Sequence, residues 1–233
     1  IFLSNSMTMR DIDVSILSMV PFDYNPQTNE LEIYESVEIN LIKTSLGETR
    51  DHNDKSKSRV FEKIYKDKIL NYSSSSRDND YQMPAILYIC GGNAASNSYF
   101  QELVEWRKER GYSVTVVSTS TIGSTSSQIK NYISDAYYNW EIPPEYIALV
   151  GDVGGSYSVA TYYNSYGHDN YNQDCEGDLP YSQLDGSDLL PEVLIGRISV
   201  RSSGELETVA AKILFYEKAN YASSLGNYYE RAS

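Results

Sequence analysis

Six carboxylates crowd one stretch of this chain: Asp169, Asp174, Glu176, Asp178, Asp185 and Asp188, all lying between two short apolar runs at 146–150 and 192–198. Carboxylates this dense cost free energy unless cations, hydrogen-bond donors or water offset their repulsion. Calcium is one candidate, because it takes six to eight hard oxygen ligands. The metal-ligating candidates are Asp169, Asp174, Glu176 and Asp185, although the spacing matches no EF-hand loop, and a solvated acidic loop is the competing reading. Asp178 and Asp188 stand apart as site residues, since each precedes an apolar segment at an expected sheet edge. His168 and Cys175 share the loop, and an imidazole beside a thiol does nucleophilic chemistry. No orienting scaffold for such a pair is evident, so His168 reads as a surface residue. His52 falls in a polar linker and reads as exposed.

Elements of recognisable type frame this loop. Ala85-Ile-Leu-Tyr-Ile-Cys90 is an apolar strand leaving on Gly91-Gly92. That exit could hold a phosphate on backbone N–H groups. Neither GxGxxG nor GxxxxGK[ST] is present, however, and the pair reads as a tight strand exit. Cys90, at the strand end, reads as a small buried hydrophobe. The spacing of Phe100, Leu103, Val104 and Arg107 predicts a helix over about 98–110, closed by Gly111. A strand follows at 112–118, then a helix from a Ser126 or Ser127 cap to Asn139. The strand at 146–150, the acidic loop, the strand at 192–198 and a helix over about 204–220 complete the series. Alternating strands and helices predict a parallel sheet with right-handed crossovers. In such sheets ligands sit where loops leave the carboxyl ends of strands, which is where the acidic loop begins.

The first part of the chain differs. Ile12, Val14 and Ile16, then Leu31 and Ile33, then Val37, Ile39 and Leu41 alternate with polar residues, as strands do. Tyr24-Asn25-Pro26-Gln27-Thr28-Asn29 is a turn between them. Residues 59–71 have helical spacing; Thr44–Ser58 and Ser73–Asp80 read as connectors. The expected division is the end of a β-type domain at 1–45, a linker with a short helix at 46–83, a first α/β subdomain at 84–142, and the start of a second at 143–233. Ile1 and the Tyr-Tyr-Glu-Arg-Ala-Ser233 end both read as cut.

Composition removes several function classes. The 233 residues carry 19 Lys and Arg against 32 Asp and Glu, a formal charge of −13. Nucleic acid is not an expected partner, because its binding is driven by basic residues. No apolar run approaches the ~20 residues that span a bilayer. Heavy use of Tyr (22 residues) with few basic side chains fits a secreted or surface protein. Two cysteines make no disulfide framework.

The chain resembles the gingipain-like cysteine peptidases of family C25, clan CD. The resemblance is carried by Pro84-Ala-Ile-Leu-Tyr-Ile-Cys-Gly-Gly92, Tyr146-Ile-Ala-Leu-Val-Gly-Asp152, Asp178-Leu-Pro-Tyr-Ser-Gln-Leu-Asp-Gly186, and Pro191-Glu-Val-Leu-Ile-Gly-Arg-Ile-Ser199. Tyr24-Asn-Pro-Gln-Thr28 and its flanking strands resemble the end of the family's β-rich propeptide, and Phe61–Asn71 the junction. The resemblance implies a caspase-like α/β fold, secretion, calcium, polypeptide substrates, and a cysteine thiolate with a protonating histidine. It implies that Asp178 orients that histidine and that Asp188 lines the primary specificity pocket. The family's His-Gly and nucleophilic cysteine follow the helix expected at 204–220, so neither Cys90 nor Cys175 stands in the nucleophile's place. The expectation is an N-terminal portion that is inactive alone and has the rest of its own chain as partner. The rival readings are a non-catalytic surface or adhesion protein of the same fold and a flavodoxin-like module with its ligand beside Gly91-Gly92.

Overall fold

The first forty residues form small antiparallel ribbons: β1 (Phe2–Leu3), β2 (Met7–Met9), β3 (Ile12–Val14), β4 (Leu17–Ser18), β5 (Phe22–Asn25) and β6 (Glu30–Ile33), paired β1 with β4, β2 with β3 and β5 with β6. The computed structural model describes residues 1–40, 57–73, 81–165 and 174–218. The turn between β5 and β6 is the one expected, with the Asn25 side chain accepting from the Gln27 amide and Asn29 closing it at φ 57. Register puts Phe22 opposite Ile33 and Tyr24 opposite Leu31, so alternation gathers these four on one face. That face is exposed. The strand expected from Val37 is absent over 37–40, where Val37 has no neighbouring strand among the described residues to ladder with; alternation alone does not make a strand. Leu41 lies outside the described residues.

Helix α1 (Arg59–Lys68) starts where the Ser58 side chain accepts from the Phe61 amide, and it buries Phe61 and Tyr65. The α/β part then runs β7 (Ala85–Cys90), α2 (Ser98–Glu109), β8 (Ser113–Ser118), a short α3 (Thr119–Ile122), α4 (Ser126–Asn139), β9 (Tyr146–Val150), β10 (Tyr162–Ser165), β11 (Asp174–Gly177), β12 (Leu194–Ile198) and α5 (Ser203–Glu217). Thr125, rather than Ser126 or Ser127, caps α4. Gln128 stands three residues on and completes a capping box. Gly111, at φ 87, ends α2 as expected. The β10–β11 hairpin inside the acidic stretch was not expected; its alternation is broken by polar residues on both strands.

Four strands make one parallel sheet in the order β12-β9-β7-β8. The α/β parallel sheet with flanking helices, preceded by a β-rich segment, is therefore the architecture expected. Its two faces follow from alternation along β7, where all six side chains are buried. Leu87 and Ile89, with Ile147 and Leu149, pack under Ile129, Ile133 and Tyr137 of α4. Ile86, Tyr88 and Cys90 pack against Phe100 and Val104 of α2 and Leu206 of α5. An ion pair from Arg107 to Glu217, joined by Trp106 Nε1, ties α2 to the end of α5. No helix among the described residues is long and apolar enough to cross a membrane.

Core and cap make separable demands on α4. Ile133→Ala should cost about 2–5 kcal/mol through lost burial and a cavity, and Thr125→Ala about 1 kcal/mol. Urea unfolding of both variants measures this; a cap loss exceeding the core loss would contradict the role given to α4.

Candidate functional site

The carboxyl edge of the sheet is where the expected chemistry has to be sought. β9 ends at Gly151, whose backbone φ of 147 and crowded surroundings exclude a side chain: a Cβ there would lie 1.9 Å from the Tyr157 carbonyl oxygen. A Cβ on Gly91 would lie 2.5 Å from the same oxygen. The loop after β9 thus folds back across both strand exits, burying Tyr157 and Val159. Gly91-Gly92 is a close-packing point filled by the chain's own carbonyls. Carbonyl oxygens facing the glycines repel a phosphate, so the cradle expected of a nucleotide or flavin module is not formed here.

Arg197, in β12 opposite Leu149, holds this loop. Its Nη1 donates to the Gly151 and Val159 carbonyls at 2.9 Å each, and Nη2 to the Ala160 carbonyl at 3.1 Å. The remaining Nη2 hydrogen and Nε reach Asp178 Oδ1 and Oδ2 at 2.7 and 2.8 Å. Every N–H of the guanidinium is used. Thr161 Oγ1 also donates to Asp178 Oδ1, at 2.9 Å. Burial alone would raise the Asp178 pKa, but hydrogen bonds from Arg197 and Thr161, with the Arg197 charge, hold it below the usual carboxylate range. A carboxylate has roughly four lone-pair positions. Three are taken here, leaving one on Oδ2 among the described contacts.

A second pair lies beside the first. Asp152 accepts from Arg201 Nε at 2.5 Å and Ser199 Oγ at 3.0 Å. The Arg201 hydrogen bond, helped by the Val153 amide and Ser199, lowers its pKa to about 2. Asp152, Arg197, Arg201 and Thr161 were not identified as site residues from sequence. One signal existed for Arg197, a cation inside the apolar run Leu194-Ile-Gly-Arg-Ile198.

Asp188 lies elsewhere. Between Asp178 and β12 the chain travels back to the amino ends of the strands, and there Asp188 Oδ2 accepts from the Thr8 amide of the N-terminal segment, at 3.0 Å, and Oδ1 from Leu190. The structure therefore does not bring Asp178 and Asp188 together. Of the metal candidates, Asp169 lies outside the described residues, as does His168. Asp174 opens β11, and Glu176 of the same strand is exposed. Asp185 is placed by its amide, which donates to buried Glu192. Among the described residues no three His, Cys, Asp or Glu side chains could together hold a metal ion. Cys90 is fully buried, and burial pushes its thiol up to about 12.

Comparison with known proteins places this geometry. Residues 63–233 match the model of peptidase family C25, and residues 1–78 match that of the C25 propeptide. Lys-gingipain of Porphyromonas gingivalis is 28% identical over 97% of this chain, and gingipain R2 of the same organism is 25% identical over 93%. The chain spans 13% of the first and 28% of the second. A solved structure described as a protease superposes with a TM-score of 0.50 at 25% identity, covering 67% of this chain and 31% of its own. The complex of P. gingivalis RgpB pro- and mature domains gives 0.49 at 23% identity, covering 57% and 29%. With its family model matched along most of its length and a propeptide match at its amino end, the chain belongs to peptidase family C25.

Proposed function

We propose that this chain is the pro-segment and first catalytic part of a cysteine endopeptidase that is secreted or held at the cell surface and acts on polypeptides. The division is residues 1–45 as the end of the propeptide, 46–83 as linker, 84–142 as first subdomain and 143–233 as the start of the second. One observation carries the reading: in a C25 chain, the parallel sheet's carboxyl edge is held by the buried Arg197–Asp178 pair, with an Asp152–Arg201 pair at the surface beside it. Such an edge is where a substrate and its attacking group meet in an open α/β sheet. In the proposed reaction a thiolate attacks the peptide carbonyl, backbone N–H groups hold the oxyanion, and an imidazole protonates the leaving amine. Cys90 does not supply that thiolate, being sealed in the core with a thiol protonated at neutral pH. The thiolate–imidazole pair comes from further along the protein.

Asp178 serves first as the acid half of the latch that fixes the loop after β9. The open lone pair on Oδ2 supports a second reading, in which Asp178 also accepts an imidazole N–H and acts as a positioning residue. The specificity role proposed for Asp188 has to be reconciled with its place here, at the amino ends of the strands and hydrogen-bonded to the Thr8 amide.

Three outcomes test this. The 233-residue chain should not hydrolyse a panel of fluorogenic peptides, while a longer product of the same gene should, and iodoacetamide should abolish its activity. Turnover by the 233-residue chain that is lost in Cys175→Ala would overturn the assignment. Asp178→Asn should destabilise the chain by about 3 kcal/mol at neutral pH, because it strands a buried guanidinium. The Asp178 pKa is lower folded than unfolded, so its stabilisation is complete above the ordinary carboxylate range and fades as pH falls through the folded value. The variant should therefore lose less stability than the parent between pH 6 and pH 3 in urea titrations. Finally, Asp178→Asn with Arg197→Met in the longer product separates the two readings. Recovered kcat relative to Asp178→Asn alone means a latch, and a kcat still depressed in a protein of normal stability means a histidine partner.

A further inference from the structure

Among residues 1–40 only Thr8 and Arg10 are buried; the rest of this segment is exposed or half-buried, including the large side chains Phe2, Phe22, Leu31 and Ile33. The segment's buried contacts with the rest of the described structure therefore centre on β2 and the β2–β3 turn, where the Thr8 amide donates to Asp188 and Arg10 is buried. Arg10 occupies that turn with φ 55 and is 3% exposed. Its Nη1 donates to the Glu192 carbonyl at 2.9 Å and the Pro144 carbonyl at 3.2 Å, the residues leading into β12 and β9. Its guanidinium carbon lies 5.1 Å from the Phe61 ring centroid and 5.6 Å from that of Tyr137, within cation–π range of both. The turn's backbone is held as well: Tyr137 Oη donates to the Arg10 carbonyl at 2.8 Å and Tyr65 Oη to the Met9 carbonyl at 2.9 Å.

We propose that the α/β domain carries a guanidinium-binding pocket at the amino ends of β9 and β12, walled by Phe61 and Tyr137, whose ligand in this chain is Arg10. The pocket lies at the opposite ends of the strands from the Arg197 latch. Its charge environment suits a cation. Glu145 is buried beside it, and Glu145 Oε2 has no hydrogen-bond partner among the described residues. Burial raises the Glu145 pKa, and the Arg10 charge is one of the influences that oppose this. A planar guanidinium lies over two aromatic rings while Nη1 donates to two carbonyls, an arrangement that an ammonium group does not reproduce. The pocket is thus the anchor that keeps the pro-segment on the domain after the connection at 41–56 is cut. The inference uses none of the peptidase chemistry and is read by binding alone.

The test uses the whole 233-residue chain carrying a specific protease site inserted between residues 41 and 56. After cutting, residues 1–40 should co-elute with the remainder in size exclusion. The Arg10→Met chain should release its fragment, with a dissociation constant ~100-fold or more above the parent. Arg10→Lys should also weaken it, and Phe22→Ser should leave it unchanged. Where Arg10→Met does not fold as a chain, synthetic 1–40 peptides compete for the cut parent protein instead. The parent peptide should displace the labelled fragment, and its Arg10→Met form should need ~100-fold more. Equal retention of the parent and Arg10→Met fragments, or equal competition by the two peptides, would overturn the pocket. Inactivity of a longer product toward peptides would leave these results untouched.

Discussion

A guanidinium with no spare N–H fixes the shape of the sheet's carboxyl edge. Removing an arginine from water costs several kcal/mol unless each donor finds an acceptor. Arg197 meets that condition with three carbonyls, from Gly151, Val159 and Ala160, and one carboxylate, from Asp178. The carbonyls belong to the two ends of one loop, so any shift of that loop strands donors in a low-dielectric site. The close approach of the Tyr157 carbonyl to Gly91 and Gly151 is part of the same constraint. Loop position is set by backbone polarity as much as by side-chain packing. This is why residues 151–161, with few large apolar side chains, are held against the strands.

The two buried arginines illustrate different uses of one side chain. Arg197 is satisfied along its whole fork and joins parts of a single unit. Arg10 uses Nη1 and approaches two aromatic rings, while its Nη2 has no hydrogen-bond partner among the described residues, and Glu145 Oε2 is likewise unpaired. Incomplete satisfaction weakens a contact relative to what its burial would otherwise yield. The Arg10 contact joins two segments with part of its fork unpaired, whereas the Arg197 contact lies within one unit and is fully paired. The exposure of the β5–β6 apolar face fits the same division, since a two-stranded ribbon contributes little stability on its own.

Much of the fold was legible because the relevant signals are local. Ala85–Cys90, Tyr146–Val150 and the helices at 98–109 and 126–139 follow from apolar periodicity, caps and a terminal glycine. What was illegible depends on long-range pairing. The 37–41 alternation reads as a strand, but no partner strand reaches Val37 over the described part. The β10–β11 hairpin lies in a stretch so polar that periodicity carries no information, and its existence rests on pairing across residues 166–173. For the site, Asp178 stands just before an apolar segment, and the structure places it against Arg197 and Thr161. Its partner could not be inferred, because Arg197 lies on a strand whose neighbours are known only once the sheet order is. Asp188 has the same local signature as Asp178, yet the chain reverses between them and delivers it to the opposite ends of the strands.

That reversal bears on how the acidic stretch should be understood. Its density invites a single centre, whether a metal site or a carboxylate pair. The fold instead sends Asp178 and Asp188 to opposite ends of the strands and gives each its own partners. Asp178 is neutralised by Arg197, and Asp188 accepts from the backbone amides of Thr8 and Leu190. For these two carboxylates, distance from each other and hydrogen bonds relieve the like-charge repulsion. A carboxylate already holding an arginine and a threonine hydroxyl is also a weaker acceptor for an imidazole than a free one. Any orienting role for Asp178 therefore rests on the remaining Oδ2 position, while its hold on the loop rests on the other three.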